Sequence, residues 1–432
     1  MGYSGIMNPK DTIETAFDGR TLAVELFDTL RANSSDTVGI TRESFAAGEE
    51  EAIGVIKAAA ESYGLMTEMD AAANLVISLP GREAETPFVA CGSHLDTVPQ
   101  GGNFDGAAGV IAGLICLSRI NTEAIAPEKN VKVVVLRGEE SAWYGKACVG
   151  SHALFGMLTP EDLASVHRKG TATLGDALRR AGADVARIEK GEQLLDPASV
   201  AAFLELHIEQ GPVMVARDLP TAIVTGIRGN FRHLRIMCRG EAGHSGVVPR
   251  WLRHDSVFAA SELISNLDEH WRVLLEHGHD LVVTVGTIET DAEHHSVSRI
   301  PGEVAFSFEV RSQSTETLKA FYELMRTECR QIEIKRKVVF EFDRRIDSPP
   351  ARVDPRWVDR LRRISEDLGL PTETVPSGAG HDAGIFATAG IPSAMIFVRN
   401  EHGSHNPHEA MDIDDFLKGT ELLFHALVDP VP

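Results

Sequence analysis

Gly92-Ser93-His94-Leu95-Asp96-Thr97-Val98, followed closely by Gly101-Gly102-Asn103-Phe104-Asp105-Gly106, is the stretch whose reading decides the fold. An apolar run at 87–91 leads into it, and an apolar helical pattern at 107–120 leads out. Strand, glycine-rich turn and helix are how a parallel α/β sheet presents ligands at the carboxyl end of a strand. The stretch offers an imidazole at His94 and carboxylates at Asp96 and Asp105. Imidazole with carboxylate is hard-to-borderline donor chemistry of the kind zinc or manganese accepts. A lone His-x-Asp says little, so the question passes to the rest of the chain.

Outward from this stretch, strand-like runs alternate with helical ones. The runs fall at 74–79, 88–91, 131–136, 204–208 and 394–398, and residues 10–62 carry apolar positions at helical spacing. Such alternation predicts a largely parallel sheet. The region between Thr225 and Arg311 differs in character. Strands are expected at 231–238, 281–288, 304–310 and 337–342, with helices at 255–274 and 314–332. Strand-helix-strand-strand-helix-strand is a ferredoxin-like α+β order. The expected architecture is thus α/β: residues 1–217 and 345–432 form a mostly parallel-sheet domain, and 218–344 form an inserted α+β domain. Asp347-Ser348-Pro349-Pro350 reads as the return linker.

Length and composition agree with this division. At 432 residues the chain exceeds one ordinary core, so two domains are expected. No window approaches the ~18 uncharged apolar residues that a membrane span needs. The N-terminus carries Asp11, Glu14 and Asp18 without an apolar segment, so no signal peptide is expected, and Ile6 stands where a myristoylation signal wants Ser or Thr. Five dispersed cysteines without a C-x-x-C pair read as reduced thiols of a cytoplasmic protein. A net charge of −21 argues against nucleic acid as a partner. An anionic substrate would need a local arginine.

Three further segments sit at or near predicted strand ends. Arg137-Gly138-Glu139-Glu140 follows the strand at 131–136, His207 lies in the strand at 204–208, and Ser404-His405-Asn406-Pro407-His408-Glu409 follows the strand at 394–398. Together with the opening stretch they offer His94, Asp105, Glu140, His207 and His405. One carboxylate shared between two ligand pairs would hold two ions ~3.5–4 Å apart. Glu139 is then a carboxylate next to a ligand but not itself one, as a general base requires. Each residue also has a plainer reading: a core histidine, a solvated Glu-Glu turn, a turn-forming Asp105, or a helix cap at Asp96.

These motifs resemble the M20 metallopeptidase family, and within it the amidase/hydantoinase branch of N-carbamoyl-L-amino-acid hydrolases, β-ureidopropionases and allantoate amidohydrolases. The resemblance runs in order through the stretches already quoted. It continues through Glu205-Leu206-His207-Ile208-Glu209-Gln210-Gly211-Pro212, Gly243-His244-Ser245-Gly246, Ile300-Pro301-Gly302 and Ser377-Gly378-Ala379-Gly380-His381-Asp382-Ala383. It implies two divalent ions, zinc first, with manganese, cobalt or nickel as alternatives. His94, Asp105 and His207 would hold one; Asp105, Glu140 and His405 would hold the other. Asp96 would orient His94, and Glu139 would deprotonate the bridging water and reprotonate the leaving nitrogen. His244, on an inserted lid, would stabilise the oxyanion. Gln210 would bind the carbamoyl or ureido end and Arg311 the substrate carboxylate. The resemblance also implies a homodimer through the lid domain.

Three substrate-side positions depart from the branch. Ser298 stands where the branch has an asparagine that helps hold the carboxylate; a hydroxyl lacks the amide's paired donor and acceptor. Ser141-Ala142-Trp143-Tyr144 follows Glu140 in place of Gly-Ser-Arg-Phe, and Ser245-Gly246-Val247-Val248-Pro249-Arg250 follows His244 in place of Ala-Gly-Thr-Thr-Pro-Met. Trp143 and Tyr144 read either as an aromatic-accepting pocket or as core packing. The expected activity is cleavage of an N-carbamoyl or ureido C–N bond in an amino-acid-like acid. The alternatives are an N-acyl-amino-acid hydrolase of the same fold and a metal-free binding protein. No G-x-S-x-G elbow or dinucleotide fingerprint occurs.

Overall fold

The structure, a computed structural model, describes residues 17–429. Met1, Gly2, Ile6, Asp11 and Glu14, read above for a leader or lipid signal, lie outside them. The chain divides into two compact units. One takes the chain up to Ile223, Asp359–Glu373 and the chain from Ala389; the other takes Val224–Val358 and Thr374–Thr388.

The first unit is built on strands Met66–Met69, Leu75–Ser78, Val131–Leu136, Phe88–His94, Val200–Ile208 and Ser393–Val398, side by side in that order, followed by the first three residues of strand Thr221–Ile227. The centre is parallel: Phe88–His94 runs with Val131–Leu136 and with Val200–Ile208, and Ser393–Val398 runs with Val200–Ile208. The flanking pairs are antiparallel. The central strands are buried on both faces. That is why they read as continuous apolar runs and not as alternating ones. Their carboxyl ends, at His94, Leu136, Ile208 and Val398, share one edge of the sheet.

Helix Ala107–Thr122 leaves the opening stretch and is buried around nearly its whole circumference. It lies so close to the sheet that a Cβ on Gly109 would sit 2.2 Å from the Leu206 carbonyl oxygen. The helical pattern at 10–62 becomes two helices in the described residues, Gly19–Ser34 and Ala47–Ser62. Asp18 caps the first by accepting from the Thr21 amide.

In the second unit, Gly229–Arg239 and Glu303–Ser312 form an antiparallel centre. Val339–Phe342 and Ile346–Ser348 pair with Gly229–Arg239, and Val282–Thr284 and Ile288–Thr290 pair with Glu303–Ser312. Helices Ser256–Glu276 and Thr315–Arg336 start on the capping side chains of Asp255 and Ser314. Phe231, Phe308, Leu263 and Phe321 meet in its core. The expected α+β order is present, with two differences. The run at 281–288 is two strands: Thr284 pairs with Glu309 and Ile288 with Phe306, one residue out of register, and between them the Ser307 hydroxyl accepts the Thr287 amide. Asp347 and Ser348, read as linker, continue the sheet until Pro349-Pro350, which cannot donate to it. No helix among the described residues is long and apolar enough to cross a membrane.

Candidate metal centre

His94 ends its strand and is buried. Its Nδ1 donates to the Asp96 carbonyl at 3.0 Å, which turns Nε2 toward Asp105 Oδ1, 3.6 Å away. His207 repeats the arrangement: Nδ1 donates to the Ile208 carbonyl at 2.9 Å and Nε2 lies 3.2 Å from the same Oδ1. A histidine whose Nδ1 proton is bound to a carbonyl presents the Nε2 lone pair, the tautomer a metal needs. The other oxygen of Asp105, Oδ2, faces His405 Nε2 at 3.5 Å, and that nitrogen lies 3.3 Å from Glu140 Oε1. Two donor groups result: His94, Asp105 and His207, and Asp105, Glu140 and His405. In each, the ligand atoms lie within 4.8 Å of one another, and Asp105 belongs to both.

The electrostatics fit a cation. Burial works against charge on His94 and His207, yet their contacts to Asp105 win and hold both imidazoles above their usual range. Asp105, also opposed by burial, is held well below the carboxylate range by His207 and His94. His405 is raised to about 9, first by its bond to Glu140. The carboxylates thus favour positive charge at this place. Three imidazoles and two carboxylates converging on such a site suit a divalent ion.

Glu139 stands beside this cluster and outside both donor groups, with Oε2 3.8 Å from His94 Nε2. Asp96 faces His94 with two atoms, its carbonyl at 3.0 Å and Oδ1 at 3.4 Å. Its carboxylate also accepts the amides of Glu139 and Glu140, each at 3.1 Å. One residue therefore sets both the imidazole and the Glu139-Glu140 turn. Gly106 makes room for the imidazole: its φ is 67°, and a Cβ there would lie 2.4 Å from His94 Cε1.

Several supporting residues escaped the sequence reading. Glu409 is buried, accepts the Phe104 and Asp105 amides at 2.8 and 3.2 Å, and has its pKa raised to about 7 by burial and then by the Asp105 charge. The Ser404 hydroxyl links Glu409 Oε2 with Asp105 Oδ2. Arg42 is fully buried and holds the Leu95 carbonyl and the Asn103 side chain. Arg137 and Glu49 form a buried pair under the Glu139 turn. Ser404 and Glu409 flank His405 in the sequence, which is a usable signal. Arg42 and Glu49 carry none.

Gln210 enters the same cluster. It is held at φ 62°, and its amide donates to Asn400 Oδ1 at 2.9 Å. Nε2 donates to Asp105 Oδ2 at 2.7 Å. A carboxylate only accepts, so the amide must turn its nitrogen there and its oxygen away. That oxygen is buried without a hydrogen-bond partner among the described residues.

The profile described as Peptidase family M20/M25/M40 matches residues 90–429, which hold all five donor residues. An N-carbamoyl-L-amino acid amidohydrolase of Geobacillus stearothermophilus is 32% identical over 411 residues, 95% of this chain and 98% of that one. The chain belongs to the M20 peptidase family. An allantoate amidohydrolase of Escherichia coli is 31% identical over 361 residues, 83% of this chain and 85% of the relative. A solved hydantoinase/carbamoylase family amidase from Burkholderia ambifaria is similar at a TM-score of 0.83 and 29% identity, covering 96% of each chain.

The remaining expected site residues of this M20 chain lie in the second unit. His244 is exposed, in a two-residue strand pairing with Arg299–Ile300. The Ser298 carbonyl accepts the Ser245 amide at 2.9 Å, so the segments of Ser298 and His244 adjoin. Arg311 forks onto Glu309 with two bonds of 3.1 Å and donates to the Gly378 carbonyl at 2.8 Å. The Ser-Gly-Ala-Gly-His-Asp string thus meets the arginine. Trp143 is 1% exposed, donates to the Thr97 carbonyl at 2.8 Å and stacks on His167; Tyr144 is also buried. Both are packing residues of the first unit.

Proposed function

We propose that this M20 protein is a metal-dependent amidohydrolase that cleaves the N-carbamoyl or ureido C–N bond of an amino-acid-like carboxylic acid. The observation that carries the reading is Asp105, which turns one oxygen to His94 and His207 and the other to His405. On this reading two divalent ions, zinc first, are held by His94, Asp105 and His207 and by Asp105, Glu140 and His405. When bound, such ions polarise a carbonyl and lower the pKa of water from 15.7 toward ~7. Glu139 takes a proton from the attacking water and returns it to the departing nitrogen. Asp96 keeps His94 in its Nε2-presenting tautomer. His244 steadies the oxyanion, Arg311 binds the substrate carboxylate bidentately, and Ser298 takes the role given to an asparagine in the branch.

The carbamoyl preference is supported by Gln210. Its buried oxygen lacks a partner among the described residues, and a carbamoyl –NH2 would supply the missing donor, whereas an N-acyl group has only carbon at that place. The burial of Trp143 removes the aromatic pocket that favoured an acyl substrate.

A homodimer through the second unit belongs to the same reading, supported by exposed Trp251, Val247, Leu252 and Phe258 there. So does a reducing, cytoplasmic setting, which suits five buried cysteines. The test is turnover of metal-reconstituted protein on N-carbamoyl, ureido and N-acyl amino acids. Release of ammonia and carbon dioxide from the first two classes is expected. Turnover confined to N-acyl substrates, with release of a carboxylic acid, would overturn the carbamoyl assignment.

A further inference from the structure

The turn that carries Glu139 is tied along its whole backbone. On one side the amides of Arg137, Gly138 and Glu139 donate to Asn74 Oδ1, Glu49 Oε1 and Asp96 Oδ1, each at 3.1 Å. On the other, the carbonyls of the same three residues accept the amides of Gly150, Val149 and Cys148 at 2.8, 2.9 and 2.9 Å. With the main chain fixed, the contacts of the side chain set the direction of the Glu139 carboxylate.

Cys148 makes one of those contacts. Its thiol donates to Glu139 Oε1 at 3.3 Å, and the other oxygen, Oε2, lies on the side of His94 Nε2. Cys148 is buried and held at φ 53°, ψ 45°. A residue with a Cβ enters this left-handed region only at a cost, and strained backbone clusters at functional sites. Glycine would make the same ladder of amides with less strain. The ladder alone therefore does not account for a side chain at 148.

We infer that Cys148 is a positioning residue: its thiol holds one oxygen of Glu139 and leaves the other turned toward the ligand cluster. The inference rests on the reading of Glu139 as the base. Because Cys148 acts through Glu139, its loss lowers the rate of the chemical step and leaves substrate binding alone.

The experiment compares Cys148→Ala, Cys148→Gly and Cys148→Ser in the full-length, metal-reconstituted protein, on the N-carbamoyl amino acid that it turns over best. Metal content and Tm are measured alongside. Ala and Gly variants with full metal content are expected to lose about three- to tenfold in kcat, the range of one hydrogen bond, with KM unchanged. Serine keeps a donor and is expected to restore kcat. The Gly variant relieves the backbone strain, so an equal loss in Ala and Gly assigns the effect to the thiol and not to folding. In a Glu139→Gln background, Cys148→Ala should add no further loss. Wild-type kcat in the Gly variant, or an undiminished Cys148→Ala effect without Glu139, would overturn the positioning role while leaving the base in place. Wild-type turnover in Glu139→Gln alone would instead overturn the base assignment, and the role of the thiol with it.

Discussion

The two units treat their charged side chains in opposite ways. In the first, four of the five donor residues are buried, and three of these are held by a neighbour: His94 by the Asp96 carbonyl, His207 by the Ile208 carbonyl, and Asp105 by Ser404 and Gln210. In the second, His244 and Ser298 are exposed on paired short segments, and Arg311 is a third exposed and bonded to its strand neighbour Glu309. A reaction that needs fixed charges benefits from the first arrangement. Substrate choice tolerates the second. The difference teaches that the donor cluster is preorganised within the sheet edge, whereas Arg311, proposed above to bind the substrate carboxylate, begins with its fork occupied.

The sharpest way to break this comparison is at the shared carboxylate. Asp105→Asn keeps the shape but removes the charge that His94, His207 and His405 face. Turnover should fall by at least about a thousandfold, since general catalytic and metal contributions are lost together. Metal content, read by elemental analysis, should fall with it. An Asn variant that keeps full metal and wild-type turnover would show that Asp105 is only a turn former.

Arg311→Ala comes next. Removing a charged fork should raise KM by roughly ten- to a hundredfold on every carboxylate substrate, the scale of 1.5–3 kcal/mol for a charged hydrogen bond. Unchanged KM would remove Arg311 from substrate binding. Glu309→Gln is the smaller, opposite change. It weakens the bond that the substrate must displace, so KM should fall by about two- to fivefold. A rise in KM there would mean that Glu309 aims the fork and does not compete for it.

How much of this was legible in the sequence follows from distance along the chain. His94, Asp105, Glu140, His207 and His405 could be gathered because each follows or ends an apolar run, and parallel strands bring such ends together. The helix caps Asp255 and Ser314 lie at the expected helix starts. The residues behind the ligands were not legible. Glu49 reaches Arg137 across 88 positions and Ser404 reaches Asp105 across 299, through residue types that are common on any surface. The split of 281–288 was hidden for a related reason: the Ser307 hydroxyl replaces one backbone acceptor, and nothing in the run itself records that.

Trp143 gives the smallest expected effect and a direct check on where the substrate does not go. Its indole donates to the Thr97 carbonyl, one residue past Asp96, and its ring stacks on His167 at an interplanar angle of 4°. Trp143→Phe keeps an aromatic ring but leaves that buried carbonyl without its donor. The cost should be stability, about 1–3 kcal/mol in chemical denaturation. Turnover should change little, because Asp96 and Thr97 remain anchored by Ser44 and by the backbone and hydroxyl bonds to Arg42. A KM that rises for aromatic N-carbamoyl substrates and not for small ones would reverse the assignment. It would place the indole in the substrate pocket despite its burial, and move part of the specificity from the second unit into the first.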